Sequence, residues 1–167
     1  RLLDLGGGPG TYAMAFARNN IEVILLDFPE TLKIAKRLIA ASGLESKIKL
    51  LPGDFAKICL GNNYDMVFIS QILHAYNDRD CLSLLKKSSA SLKPGGRVVV
   101  QEFYLDETKT NPPQGAIFAI NMLVNTAGGR SYSPSEISFW MKKAGFADIT
   151  EKILGETVLL SGTTKTG

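Results

Sequence analysis

Residues 2–10, Leu2-Leu3-Asp4-Leu5-Gly6-Gly7-Gly8-Pro9-Gly10, restrict the possible folds more than any other stretch of the chain. An apolar strand runs into a glycine-rich turn, and Thr11-Tyr12-Ala13-Met14-Ala15-Phe16-Ala17 follows as a helix. Glycine allows the sharp turn and lets a ligand approach the backbone. The helix behind it offers unpaired N–H groups and the positive end of its dipole. In open α/β sheets, nucleotide-like ligands bind at this place, the carboxyl end of a strand. The spacing Gly6-x-Gly8-x-Gly10 differs from G-x-G-x-x-G and has no Lys-Ser/Thr pair, which disfavours a dinucleotide and a nucleoside triphosphate. Asp4 stands two residues before the first glycine. A carboxylate there suits a cationic amino-acid tail better than a diphosphate.

Continuous apolar runs mark strands covered on both faces. They occur at residues 2–5, 23–26, 48–51, 66–69 and 98–100. Helical patterns separate them. Leu32, Ala35, Leu38 and Ile39 repeat at helical spacing. Asn77 or Asp78 caps a helix carrying Leu82, Leu85 and Leu92, which Lys93-Pro94-Gly95-Gly96 should end. Alternating strands and helices give a doubly wound, Rossmann-like α/β sheet. After Tyr104 the pattern changes. Residues 106–113 read as a loop and residues 116–124 as a helix. Ser133-Pro134-Ser135-Glu136 is a capping box that opens a helix buried through Ile137, Trp140, Met141 and Ala144. Residues 146–153 and 157–161 form a closing hairpin, which places an antiparallel strand in a mostly parallel sheet. The last six residues are expected to fray.

A chain of 167 residues fits one domain. The net charge of +3 comes with basic residues in short clusters such as Lys33-x-x-Lys36-Arg37, read as solvated helix faces, so no nucleic-acid partner is expected. No apolar run approaches the ~18 residues of a membrane span, so no membrane partner is expected either. Cys59 and Cys81 have neither pairing nor metal spacing, which suits a reducing compartment and points to the cytoplasm. The chain opens directly on a core strand, which suggests that residues 1–167 are one domain of a fragment whose N-terminal part is missing.

Several residues at strand ends carry chemistry. Asp27, in Leu26-Asp27-Phe28-Pro29, lies about 20 positions after the glycine turn, where an acid accepts ribose hydroxyls, a reading favoured over the alternative of a cap on the next helix. Asp54, in Pro52-Gly53-Asp54-Phe55, could accept from an adenine amino group while Phe55 covers the ring, or could form an Asx turn. His74 is the chain's one histidine and follows the fourth strand in Ser70-Gln71-Ile72-Leu73-His74. An imidazole there can take a proton at neutral pH. Glu102 closes the fifth strand and could hold that ring in one tautomer.

Together these motifs resemble the class I S-adenosylmethionine-dependent O-methyltransferases. The nearer likeness is to the group of plant caffeate, hydroxyindole and bacterial polyketide enzymes. The resemblance rests on Leu-Asp-Leu-Gly-Gly-Gly-Pro-Gly, Leu-Asp-Phe-Pro, Pro-Gly-Asp-Phe, Leu-His-Ala-Tyr-Asn-Asp, Leu-Lys-Pro-Gly-Gly-Arg-Val and Gln-Glu, in order. It implies S-adenosylmethionine as cofactor, held by Gly6, Gly8, Asp27, Asp54 and Phe55, with Asp4, Phe28 and Ser70 as further candidates beside them. It also implies His74 as general base, Glu102 as its partner, no metal, and a homodimer formed through an N-terminal helical domain absent here. Phe118, Met122 and Asn125, on the helix after the loop, are candidates to line the acceptor pocket. Two departures stand out. The usual His-Asp-Trp is His74-Ala75-Tyr76, and the second glutamate near the base is replaced by Ser131. The expected reaction is methyl transfer to a hydroxyl of a small aromatic acceptor; the alternatives are a cofactor-binding domain that does not methylate and, less well supported by the glycine spacing, an NAD oxidoreductase.

Overall fold

A computed structural model describes residues 1–165. Its centre is a seven-stranded sheet in the order β3-β2-β1-β4-β5-β7-β6. The strands are β1 (Leu2–Leu5), β2 (Val23–Asp27), β3 (Ile48–Pro52), β4 (Tyr64–Ser70), β5 (Leu92–Phe103), β6 (Phe146–Leu154) and β7 (Thr157–Thr164). The first five pair in parallel, and β7 inserts antiparallel between β5 and β6. The helices are α1 (Thr11–Arg18), α2 (Pro29–Ala41), α3 (Asp78–Ser91), α4 (Pro113–Asn125) and α5 (Pro134–Lys143). A single 3₁₀ turn, Leu73–Ala75, follows β4. The doubly wound sheet and its closing antiparallel hairpin are as the sequence pattern implies.

Strand alternation sorts the core into two layers. Leu3, Leu5, Ile24, Leu26, Val67, Ile69, Val98 and Val100 pack with Leu84 and Leu85 of α3 and with Trp140 and Met141 of α5. Leu2, Val23, Leu25 and Phe68 face the other way, against Ala13 and Ala17 of α1 and Leu32, Ala35 and Ile39 of α2. Two signals fix the helix starts. The Asn77 side chain accepts from the Asp80 N–H at 3.0 Å, choosing Asn77 over Asp78 as cap of α3. The Ser133–Glu136 capping box opens α5 as its sequence demands.

Three local expectations are corrected. Leu38 is 43% exposed, because the buried stripe of α2 runs through residues 32, 35 and 39 and leaves position 38 turned toward solvent. The Lys93-to-Gly96 stretch ends α3 but does not separate it from the strand. Leu92 already pairs with Tyr64, and the register jumps to Arg97 opposite Met66, so the turn is absorbed as an irregularity inside β5. The C-terminal end is ordered farther than expected: Phe146 pairs with Thr164, and only residues 166 and 167 of the six expected to fray lie outside the described residues.

The chain order reverses between β1 and β4, so the sheet has its topological switch point there. The carboxyl ends of β1, β2, β3, β4 and β5 meet along one edge. Among the described residues no helix is long and apolar enough to cross a membrane. The burial of α2 gives a direct check. Ile39→Ala should cost about 2–4 kcal/mol by urea unfolding, and Leu38→Ala less than about 1 kcal/mol. Equal costs would contradict this orientation.

Candidate active site

The glycine turn packs tightly on one side and is open on the other. Gly6 has φ +72°, and a Cβ there would meet Ile72 Cδ1 at 2.4 Å. A Cβ on Gly7 would meet the Asp4 Oδ2 at 2.4 Å. At Gly8, with φ +59°, no atom lies within 4 Å of the Cβ position. A ligand can therefore reach the backbone at Gly8, while Gly6 and Gly7 seal the turn onto the protein.

Asp27, at the end of β2, braces this turn. Its Oδ2 accepts the Gly8 N–H at 2.8 Å and its Oδ1 accepts the Phe28 N–H at 2.7 Å. Each oxygen keeps a lone pair for a further donor. The helix-capping position belongs to Phe28, whose ring is 43% exposed and lies 6.1 Å from that of Phe55. After β3, Asp54 makes the Asx turn: its Oδ1 accepts the Ala56 N–H at 2.9 Å. Its Oδ2 pairs with Lys57 Nζ at 3.0 Å, and that lysine holds the carboxyl below its usual range. Phe55 is 3% exposed, so it forms the floor of an aromatic group whose outer members are Phe28 and Tyr76. Tyr76, noted in the sequence only as a departure from His-Asp-Trp, was given no site role there, although an aromatic two residues after His74 was a visible signal. Lys87 of α3 was missed too. Its Nζ donates to the carbonyls of Phe55, Ala56 and Ile58 at 2.7, 3.0 and 2.7 Å, fastening this turn from below.

Ser70, at the end of β4, donates to Gln101 Oε1 at 3.1 Å. Gln71 then adopts φ +58°, and its Oε1 is buried with no hydrogen-bond partner. Such strain in a non-glycine residue collects at functional sites. The chain next delivers His74, whose Nδ1 lies 2.7 Å from Glu102 Oε2. Glu102 is 3% exposed, and its Oε1 accepts the N–H groups of Ile72 and Leu73 at 2.9 and 2.7 Å. An ionised carboxylate only accepts, so Nδ1 carries the proton in the neutral ring and Nε2 is left as the acceptor.

Phe118 of α4 stands perpendicular to the His74 ring, with centroids 4.8 Å apart, and packs on Phe103 at 4.3 Å. Beside it opens a cleft of about 400 Å³ walled by Phe103, Gly115, Ile117, Phe118, Asn121 and Glu156. Met122 and Asn125 follow Phe118 along the same helix face. Met122 is half-buried, whereas Asn125 is exposed and bonds back to the Asn121 carbonyl at 3.0 Å. Among the described residues no group of three or more His, Cys, Asp or Glu is arranged to hold a metal ion.

Comparison with known proteins decides the family. The profile of the O-methyltransferase domain matches residues 1–147. The chain belongs to the O-methyltransferase family. A 3-hydroxy-5-methyl-1-naphthoate 3-O-methyltransferase of Streptomyces sahachiroi is 30% identical over 151 residues, 89% of this chain and 44% of that protein. An O-methyltransferase family protein of Burkholderia thailandensis superposes with a TM-score of 0.91 at 26% identity, covering 99% of this chain and 51% of that one. Human N-acetylserotonin methyltransferase, solved in complex with S-adenosylmethionine, gives a TM-score of 0.89 at 30% identity, covering 99% of this chain and 47% of that one. The chain thus spans about half the length of the family members it matches.

Asp4 is the outlier of the site. It lies on the same face of β1 as Leu2, beneath α1, and is fully buried with neither carboxylate oxygen in a hydrogen bond. Burial pushes its carboxyl up to about 7; the Ala13 N–H pulls it down a little, and Asp27 pushes it further up. The folded protein therefore keeps this proton at pH values where the unfolded chain has lost it. Asp4's contribution to stability is present in full below the unfolded value of 3.8 and is lost as pH rises through about 7. Asp4→Asn should match the wild type near pH 4 and exceed it at pH 8, by at most about 4 kcal/mol, in thermal or urea unfolding. A difference that does not vary with pH would refute this electrostatic account.

Proposed function

We propose that the protein transfers the methyl group of S-adenosylmethionine to a hydroxyl of a small aromatic acceptor, with His74 as general base. The 2.7 Å contact between His74 Nδ1 and buried Glu102 carries the reading. The features around the glycine turn suit the cofactor. Asp27 has free lone pairs for ribose hydroxyls, the turn is open at Gly8, and Asp4 is an unpartnered carboxylate under the turn, which favours a cationic ligand over an anionic one. Asp54, Phe28, Phe55 and Ser70 complete the cofactor side, and Tyr76 joins them. When bound, the sulfonium supplies a methyl group already activated for displacement.

The residues supply alignment and proton transfer. The oxygen–methyl bond forms as the carbon–sulfur bond breaks, and the acceptor's hydroxyl proton passes to His74 Nε2. Glu102 holds the ring in the tautomer that leaves Nε2 free and stabilises the imidazolium once the proton arrives. In this reading Phe118 walls the acceptor side, at the cleft next to the His74 ring, with Met122 and Asn125 farther along the same helix face. The cleft's apolar walls suit an aromatic ring. This reading includes a cytoplasmic setting, in keeping with the two free cysteines, Cys59 and Cys81, and a homodimer assembled through a further helical domain.

Two measurements test it on the full-length protein. Calorimetry should show binding of both S-adenosylmethionine and S-adenosylhomocysteine. His74→Ala should lower kcat on a phenolic panel by about 10² to 10⁴ while leaving cofactor affinity within about twofold. Undiminished turnover would remove His74 from the mechanism. Cofactor binding without turnover on any acceptor would favour a binding domain that does not methylate.

A further inference from the structure

The turn that carries His74 is gripped from a direction the acid–base pair does not explain. Segment 126–132, between α4 and α5, lies against it. The Gly129 N–H donates to Thr126 Oγ1 at 2.8 Å, and a Cβ on Gly129 would meet the His74 carbonyl oxygen at 2.2 Å and the Ala75 carbonyl carbon at 2.9 Å. Only a residue without a side chain fits this contact. Three residues on, the Tyr132 hydroxyl donates to the Tyr76 carbonyl at 2.6 Å. Cys81 Sγ, from α3, reaches the Leu73 carbonyl at 3.3 Å. The carbonyls of Leu73 and Tyr76 are thus bonded and that of His74 is closed off by the Gly129 backbone, while Glu102 takes the N–H groups of Ile72 and Leu73.

The strap is itself anchored. Arg130 bonds both Asp78 oxygens, at 3.1 and 3.2 Å, and Glu136 Oε1, at 2.9 Å. It therefore joins the N-terminal turns of α3 and α5. Its guanidinium lies 4.6 Å from the Tyr132 ring centroid, and the other side of that residue packs on Trp140. Tyr132 is 2% exposed, and burial pushes its phenol well above the usual range. The hydroxyl is a donor throughout the working pH range. Ser131, between Arg130 and Tyr132, is buried with its Oγ unpartnered, so this position of the strap contributes no recorded hydrogen bond to the turn.

We propose that segment 126–132 is a positioning strap for the base, in which the Tyr132 hydroxyl and the Gly129 backbone fix the His74 turn so that the imidazole stays in register with Glu102. The proposal rests on His74 acting as the proton acceptor. Tyr132 touches no reacting atom; it works through the backbone that sets the ring. Because the base is held in the protonation and orientation that turnover needs, loosening the strap lowers kcat and leaves both KM values in place.

One histidine in the 167 residues makes the test direct, because ¹⁵N-histidine labelling of this domain reports a single imidazole. Labelled histidines in any further domain are assigned by comparison with His74→Gln. Tyr132→Phe keeps the ring that packs on Trp140 and Arg130 and removes only the hydroxyl. The wild type should show one tautomer, with the proton on Nδ1. Tyr132→Phe should show a mixture of tautomers, with kcat lower by about tenfold and KM for cofactor and acceptor within about twofold. Gly129→Ala should act in the same direction and more strongly. An imidazole spectrum in Tyr132→Phe identical to that of the wild type overturns the strap, whatever happens to kcat. A changed spectrum with undiminished kcat keeps the strap and instead refutes His74 as the base, so the two failures are separable.

Discussion

The edge formed by the carboxyl ends of the strands depends on one buried carboxylate. Glu102 takes three hydrogen bonds at once: two from the backbone N–H groups of Ile72 and Leu73 and one from the His74 ring. An ionised carboxylate at 3% exposure is tolerated only when such donors replace water. Its partners lie some thirty residues earlier in the chain, so the contact requires β4 and β5 to be neighbours in register. Ser70 opposite Gln101 sets that register. Shifting the pairing by one residue would turn Glu102 to the other face of the sheet and leave two buried N–H groups without acceptors. The His74–Glu102 contact is therefore a consequence of sheet pairing and would be lost with it.

The glycine turn contrasts two acids. Asp27 and Asp4 end or nearly end adjacent strands, yet Asp27 is bonded through both oxygens and Asp4 through neither. Asp27 holds the glycine turn in shape and so acts structurally even before any ligand contact. Asp4 sits beneath Gly7 without a charge penalty while it is protonated, and its burial becomes a cost as the carboxyl ionises. A buried acid kept at such a cost, one backbone layer below a ligand-accessible turn, fits a role paired with positive charge.

What the sequence revealed, and what it did not, follows from the range of the interactions. Apolar runs place every parallel strand, and parallel strands put their carboxyl ends on one edge, so Asp27, Asp54, His74 and Glu102 could be assigned to that edge without coordinates. The capping box at Ser133 is read from four consecutive residues. Leu38 was misplaced because it adjoins Ile39 in sequence but lies about 100° from it around the helix. The β5 extension to Leu92 depends on pairing with Tyr64, which local turn signals at Pro94 and Gly95 cannot report. Lys87 and Tyr132 were invisible for a stronger reason. Each acts on backbone carbonyls, and a carbonyl has no identity in sequence. Asp4 was half legible: alternation puts it on the Leu2 face, but only the seating of α1 shows that nothing there bonds to it.

The two halves of the site differ in how firmly they are built. The turn, Asp27, His74 and Glu102 belong to the ends of one continuous sheet and to segments bonded across it. The other half rests on α4, whose one buried residue is Gly115. A Cβ on Gly115 would strike the Tyr104 carbonyl at 2.3 Å, so α4 is pinned near its start and little held beyond. Ile117, Ile120, Leu123 and Val124 are all more than 60% exposed. A helix apolar on nearly every side is stable in water only when another surface covers it. Phe118 is the link between the halves, because it touches both the His74 ring and Phe103. A surface packed on the outer face of α4 would therefore reach the His74 ring through Phe118, while the glycine turn is braced separately, by Asp27 at the end of β2. The two halves of this sheet edge are in this way held by different sets of contacts.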